Sequence, residues 1–449
     1  MTGHRLTKLS VAIGLSIATS SALASPQSFM SARAFAMGGT GVAVAHPSSA
    51  PVSNPAMMAS KQHGWADDFG LIFPSLNARF ADEEKVLDQI EDTQDSIDTF
   101  DEEFPALDSL NDITNNPALQ QTSQILQEQL IALDQDNMRG NAGIGISFAI
   151  PSQKFSVGVF STATGTLTAR GNLASDDQKV LNALATGDIS GLGDPDTPGT
   201  LANELQNAIA STEKKYEFDS YGEGLASAVI EGGVSFSTSF NLHSSNSLSI
   251  GVSPKFVQLR TYHYIQGVKD FDEDDSGLSD YETTKSGFNL DLGTAYNFGQ
   301  SKQWMVGVSA RNIIPMELDS SPYVGNVSKD LTVEKRTLEL NPMVTAGIAH
   351  KSDYHVVTAE VDLTKKEAFG FEDDTQWAAL GAEFDAFRYA QLRVGVRHNL
   401  ASNDDNDGIE EKTQFTAGLG LNIVGVRLDL GALYSDADVG AALELGTAF

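Results

Sequence analysis

Along most of the chain beyond residue 140, apolar and polar residues take turns with period two, which in a strand sends them to opposite faces. Phe288, Leu290, Leu292, Tyr296 and Phe298 share one parity, and Asn289, Asp291, Gly293 and Asn297 share the other. Val426, Leu428, Leu430 and Tyr434 alternate with Arg427, Asp429 and Gly431. Leu392, Val394, Val396 and Leu400 alternate with Arg393, Gly395, Arg397 and Asn399. The last stretch sets Leu443, Leu445 and Phe449 against Glu444, Gly446 and Ala448. A soluble sandwich also alternates. Here, however, charged residues and glycines recur on one parity while aliphatics and rings hold the other, as in a barrel with a wet inside and lipid outside.

Fourteen such segments can be read, at about 66–80, 140–150, 154–170, 226–242, 246–268, 283–298, 303–314, 331–351, 353–364, 374–386, 388–400, 413–424, 426–435 and 440–449. Their connections differ by parity. Even-numbered segments are followed by tight turns such as Pro151-Ser152-Gln153, Ser352 and Gly425. Odd-numbered ones are followed by 81–139, 171–225, 269–282, 315–330, 365–373, 401–412 and 436–439, of which all but the last are long and polar. Short turns inside and long loops outside are the habit of bacterial outer-membrane barrels, and an even count brings both termini to the periplasm. The pattern predicts an all-β, transmembrane antiparallel β-barrel of about fourteen strands, monomeric, spanning residues 61–449.

Two outer loops break the period. In 81–139, Val86, Ile90, Ile97, Leu126, Leu130 and Leu133 recur at helical spacing, and in 171–225 Leu181, Leu184, Leu201, Leu205 and Ile209 do the same. These predict two helical extracellular insertions, either packed together as a cap or forming a capture groove. Packing is the simpler outcome, because amphipathic helices bury their apolar stripe. At the other end, Arg5 and Lys8, the apolar run Leu9 to Ala18 and the small-x-small string Ala22-Leu23-Ala24 read as a cleaved signal peptide over residues 1–24. Its apolar run is well short of the ~20 residues a spanning helix needs.

Composition narrows the function classes. The mean hydropathy is slightly negative, too polar for a helical membrane protein. There is no cysteine, which removes disulfides, thiolate metal sites and lipoprotein anchoring. Past residue 24 the chain carries 27 basic against 60 acidic side chains. Such a chain repels nucleic acid, so a nucleic-acid partner is not expected. The eight histidines are scattered, and neither a G-x-S-x-G elbow nor an H-E-x-x-H pair occurs, so the chain reads as no enzyme.

Residues 25–60 contain the small-residue string Gly38-Gly39-Thr40-Gly41-Val42-Ala43 and then Asn54-Pro55-Ala56. They precede the first strand and either fold into the lumen as a plug or extend into the periplasm. This start resembles the FadL-type superfamily of outer-membrane transporters. That resemblance implies a fourteen-stranded barrel plugged by an N-terminal hatch, with Gly38, Gly39, Gly41, Asn54 and Pro55 as the plug motif. The helical insertions, the acidity and Ser286 to Gly293 are more similar to the branch named conjugal transfer protein TraF, meaning the cysteine-free barrel and not the thioredoxin-like protein of that name. The resemblance implies passive passage of small hydrophobic molecules without a required cofactor, or alternatively a surface protein assisting conjugal transfer. The terminal Phe449 resembles the signal by which barrels meet the assembly machinery in the outer membrane of a Gram-negative bacterium.

Two sets of polar residues remain. Asp291, Arg393, Arg397, Arg427 and Asp429 fall on the lumen parity and are candidates for a polar network or for tuning solute passage. In the third outer loop, Asp272, Asp274, Ser276 and Asp280 follow the one-three-five-nine spacing of a calcium loop around Gly277. The bidentate acid at position twelve is replaced by Thr283, so a solvated acidic loop is the simpler reading.

Overall fold

The computed structural model describes residues 29–60, 70–82, 84–243, 246–270, 281–325, 331, 333–386, 389–401, 409, 412–423 and 425–448. Fourteen strands close into one antiparallel barrel, each hydrogen-bonded to its sequence neighbours and the last to the first. They are β1 (Gly70–Ala81), β2 (Asn137–Ile150), β3 (Ser156–Asn172), β4 (Tyr221–His243), β5 (Asn246–Gly267), β6 (Glu282–Phe298) and β7 (Trp304–Arg311). The second half comprises β8 (Met343–Lys351), β9 (His355–Asp362), β10 (Trp377–Ala386), β11 (Ala390–Asn399), β12 (Thr413–Ile423), β13 (Val426–Tyr434) and β14 (Asp438–Ala448). The fourteen-stranded barrel expected from the alternation is present.

One expected strand is corrected. The segment 331–351 does not form one wall strand, because Pro342 has no N–H to give a ladder. Residues Thr337–Leu340 instead pair with Met316–Asp319 in a separate two-stranded sheet, and the wall resumes at Met343. A further short strand, Pro322–Val324, runs parallel to the outer end of β5.

Wall height is uneven. Strands β7 to β14 have 8 to 11 residues, close to the ~9–11 that a tilted strand needs to cross a bilayer. Strands β3 to β6 have 17 to 23 residues and rise well beyond that at the long-loop end. Outward residues of the crossing zone are large and apolar: Phe288 is 77% exposed, and Leu380, Phe384, Val394, Leu419 and Leu443 also face out. Inward ones are polar and buried, among them Ser249, Ser253, Lys255, Asp291, Glu383 and Arg393. This is a water-soluble protein turned inside out, and only lipid rewards it. At the short-turn end, Tyr296, Phe298, Trp304, His350 and His355 make a run of ring contacts across four strands, stacked except for the edge-to-face pair Trp304–His350, forming part of the aromatic girdle of a membrane interface.

The two helical insertions pack together. Helices α3 (Val86–Glu103), α4 (Pro117–Leu133), α5 (Ser175–Thr186) and α6 (Leu201–Ala210) bury Ile97, Leu126, Leu130, Leu181, Leu184, Leu205 and Ile209 in one cluster with Phe100, Phe104, Tyr216 and Phe218. Their apolar stripes are thereby spent on each other, which answers the groove alternative. Asp177 in α5 ties the cap to the wall, accepting from Ser220 N and Oγ (both 2.6 Å) and from Tyr216 Oη (3.2 Å). Burial pushes its carboxyl above the usual aspartate range.

Candidate functional site

Residues 29–60 lie within the barrel and thread past its inner face. They contain helices α1 (Ala32–Ala36) and α2 (Ala50–Ser53) and a 3-10 turn over Pro55–Met58. What lets so much chain enter a fourteen-stranded lumen is a belt of inward glycines. A Cβ on Gly381 would lie 2.6 Å from the Met37 carbonyl oxygen, one on Gly158 would lie 2.7 Å from the Pro51 ring, and one on Gly431 would lie 3.1 Å from the Phe35 ring. Gly251, Gly293, Gly307, Gly395 and Gly418 are pressed as closely, mostly against plug backbone. The glycines on the polar parity therefore mark the plug's seat.

The plug motif turns and anchors this segment. Gly38 and Gly39 hold φ of +74° and +86°, which a side chain would resist. Gly38 N donates to Thr416 Oγ1 (2.8 Å), and Thr416 Oγ1 donates to the Ala36 carbonyl (3.0 Å). Fully buried Asn54 caps the turn by accepting from Ala56 N, and its amide donates to Val42 O (2.8 Å) and Thr294 O (3.1 Å). Pro55 opens the 3-10 turn where its missing N–H costs nothing.

Carboxylates from the wall complete the seat. Glu360 accepts from Gly41 N (2.9 Å) and Ala43 N (3.0 Å), and Glu444 accepts from Ala32 N (3.1 Å). Arg33 of α1 makes a two-point contact with Glu383 (2.8 and 2.9 Å) and donates to Val44 O (2.6 Å). The same Glu383 holds Arg393 at 2.6 Å, Arg393 holds Asp429 at 2.6 Å, and Asp429 holds Arg427 at 2.6 Å. Three of the five lumen residues predicted from sequence thus join one chain that ends on the plug. Asp291 belongs to a second group, with Lys255 at 2.9 Å and Glu231 beyond it. Arg397 lies apart, stacked 4.2 Å over Trp377 and bonded to Gln414. Arg33, Glu360 and Glu383 were passed over in the sequence, although each carboxylate stands on the polar parity of an alternating run. Asp272, Asp274, Ser276, Asp280 and Phe449 lie outside the described residues.

Between plug and outer loops sits a cavity of about 160 Å³. Met30, Val42, Val52, Met343, Val361 and Ala379 give it apolar walls; Arg33, Arg311, Glu360, Asp362 and Arg397 give it polar ones. The loop 363–376 bends inward above it. Lys366 and Thr375 line the cavity, and Phe369 and Phe371 lodge beyond it in a cluster with Leu225, Val229, Val257 and Leu259.

A family described as F plasmid transfer operon, TraF, protein matches residues 51–362, more than two thirds of the chain. The chain belongs to that family. The matched residues run from the plug through the cap to the end of β9. Searched by sequence, no curated protein matches it. Among solved structures, a deltaS2 mutant of the monoaromatic hydrocarbon channel TodX aligns with 93% of this chain and 98% of its own at TM-score 0.50 and 11% identity. The toluene transporter TbuX of Ralstonia pickettii aligns over 94% and 99% (TM-score 0.48, 11% identity), and a FadL homologue of Pseudomonas aeruginosa over 94% and 98% (0.48, 9%). The TodX alignment shows that this TraF-family chain shares that channel's barrel fold.

Proposed function

We propose that this TraF-family chain is a passive outer-membrane conduit for small, largely hydrophobic molecules. The observation that carries this reading is a lipid-facing barrel enclosing, above a seated plug, a half-apolar cavity of about 160 Å³. That is comparable with the ~150 Å³ known to admit benzene, and sites with apolar walls and a few fixed polar groups suit small organic solutes. The fold shared with a monoaromatic hydrocarbon channel supports the same reading. Passage draws on packing and solvation alone, so it calls for no cofactor and no catalysis. The test is uptake of a radiolabelled monoaromatic by cells of a Gram-negative host, with and without the chain. Faster uptake with it is expected, and equal rates would remove the proposal.

The family's description names a plasmid transfer operon, and the acidic helical cap would offer a surface for such a role. Under that second reading a deletion strain mates less often; unchanged mating frequency counts against it. Residues 1–24 would be removed on export, which N-terminal sequencing of the mature protein checks. Phe449 would engage the assembly machinery, and its deletion would then slow barrel maturation. A calcium ion in the third outer loop would make melting calcium-dependent, and Asp272→Ala and Asp280→Ala would abolish that dependence.

A further inference from the structure

We propose that the inward-bent loop 363–376 is a hinged outer gate over the lumen cavity, latched by Phe369 and Phe371. The loop leaves the wall at Asp362 and returns at Trp377, and its neck is a single two-bond bridge, Lys366 N to Thr375 O (2.8 Å) and Thr375 N to Lys366 O (2.9 Å). Those neck residues line the cavity, so a swing of the neck widens its opening to the outside. Beyond the neck the loop lies on the inner face of the tall wall rather than out in solvent. Phe369 and Phe371 are both buried there among aliphatics of β4 and β5.

The seat for Phe371 is specific. The Arg170 guanidinium lies 4.1 Å from its ring centre and that of Arg336 lies 5.6 Å away, so the ring meets two cations as well as aliphatics. Phe371 N donates to Thr168 Oγ1 at 3.2 Å, and Glu372 faces Arg139 of the wall at 3.7 Å. Gly370 lies so close to Thr168 that a Cβ on it would fall 3.1 Å from the Thr168 Cβ. The solvent side of the loop is held by surface contacts, such as Lys365 to Asp374 at 2.5 Å, which count for little in water. Beside the two phenylalanines, the tip is held by the Thr168 and Arg139 contacts and by one backbone bond from Ile409 N to Phe371 O (3.3 Å). None of these belongs to the barrel ladder, so the loop opens as a unit while that ladder stays intact. This gate is independent of which solute passes below it.

The absence of cysteine makes the test clean. In the full-length chain in detergent, Ala379→Cys puts a single thiol on the cavity wall, and its labelling rate by a small water-soluble maleimide reads opening. Phe369→Ala with Phe371→Ala should speed labelling at least about tenfold, since each truncation empties a buried site. Thr168→Cys with Gly370→Cys, oxidised, should slow it by at least about tenfold, because the two Cβ positions, 3.1 Å apart, need to part only by a few tenths of an ångström to reach the ~3.5–4.5 Å of a disulfide. Labelling is read at residue 379 alone, by mass spectrometry of its peptide after the reductant is removed, because the reduced form exposes two further thiols; reduction should restore the rate there. Equal labelling of the oxidised and reduced forms would overturn the gate even if the double alanine variant failed to fold. Solute uptake that fails while these rates differ would remove the transport reading and leave the gate standing.

Discussion

The two halves of β5 carry opposite arrangements on the same strand. In the inner half, Leu248, Ile250, Val252, Pro254 and Phe256 point outward while Ser249, Ser253 and Lys255 point into the lumen. In the outer half, Gln258, Arg260, Tyr262 and Tyr264 point outward while Val257, Leu259 and Ile265 are buried inside, alongside the polar Thr261 and His263. β4 follows suit, with Ser235 and Glu231 giving way to Val229 and Leu225 on the inner face. Backbone and pairing do not change along the way; the surroundings do. Where lipid lies outside, apolar side chains face it and polar networks fill the lumen; where water lies outside, the strand reverts to an ordinary core. The lower half is fixed by buried ion pairs and glycine-to-backbone contacts, the upper half chiefly by hydrophobic packing, with the His263–Glu223 contact (2.9 Å) set within it. Each should therefore fail in its own way.

The largest effect is expected at Glu383, which neutralises Arg33 and Arg393 together. Glu383→Ala leaves two buried guanidinium groups short of a partner and should cost about 3–5 kcal/mol, read as a lower temperature for loss of the fast-migrating folded form on a gel. Next, Leu259→Ala should remove about 2–5 kcal/mol from the outer core. Hydrogen exchange should then quicken in 316–319, 337–340 and 365–376 and stay unchanged in the plug; an equal response in both halves would dissolve the contrast. Third, Val252→Arg should cost about 2–4 kcal/mol while Tyr264→Arg on the same face of the same strand should cost about 0–1 kcal/mol, measured by refolding into lipid vesicles.

The smallest effect concerns pH and the cap. Because burial raises the Asp177 carboxyl, the folded cap favours its protonated form. Its contribution is complete below the ordinary aspartate range and is lost as pH rises through the raised value. Exchange in α5 and α6 should therefore slow on acidification, and Asp177→Asn should weaken that dependence. An identical pH profile for the two proteins would show that Asp177 is not its source.

The barrel was legible because period-two alternation is a local constraint that every crossing strand must satisfy, and the loop lengths repeat the message. The overlong segment 331–351 shows the limit: Leu338 and Leu340 alternate as a wall strand does, yet they face an extracellular core, and Pro342 was the signal that separates them. The lumen residues were legible as a class but not as partners. Arg393 and Asp429 meet because their strands lie two apart in the barrel, whereas Arg33 reaches Glu383 across 350 residues of chain. The glycine belt was visible as a parity, but its purpose needed the plug beside it. Phe369 and Phe371 sit in a polar loop with no periodicity, so nothing local marked them as a latch.

Lipid ends part-way up β5, and the contrast between the two halves follows from that boundary. With no native cysteine, single cysteines at even positions from 248 to 266 can carry a fluorophore in vesicles containing a lipid-tethered quencher. The account predicts strong quenching from 248 to 256 and little from 260 to 266. Uniform quenching along the whole strand, or none at any position, would contradict it.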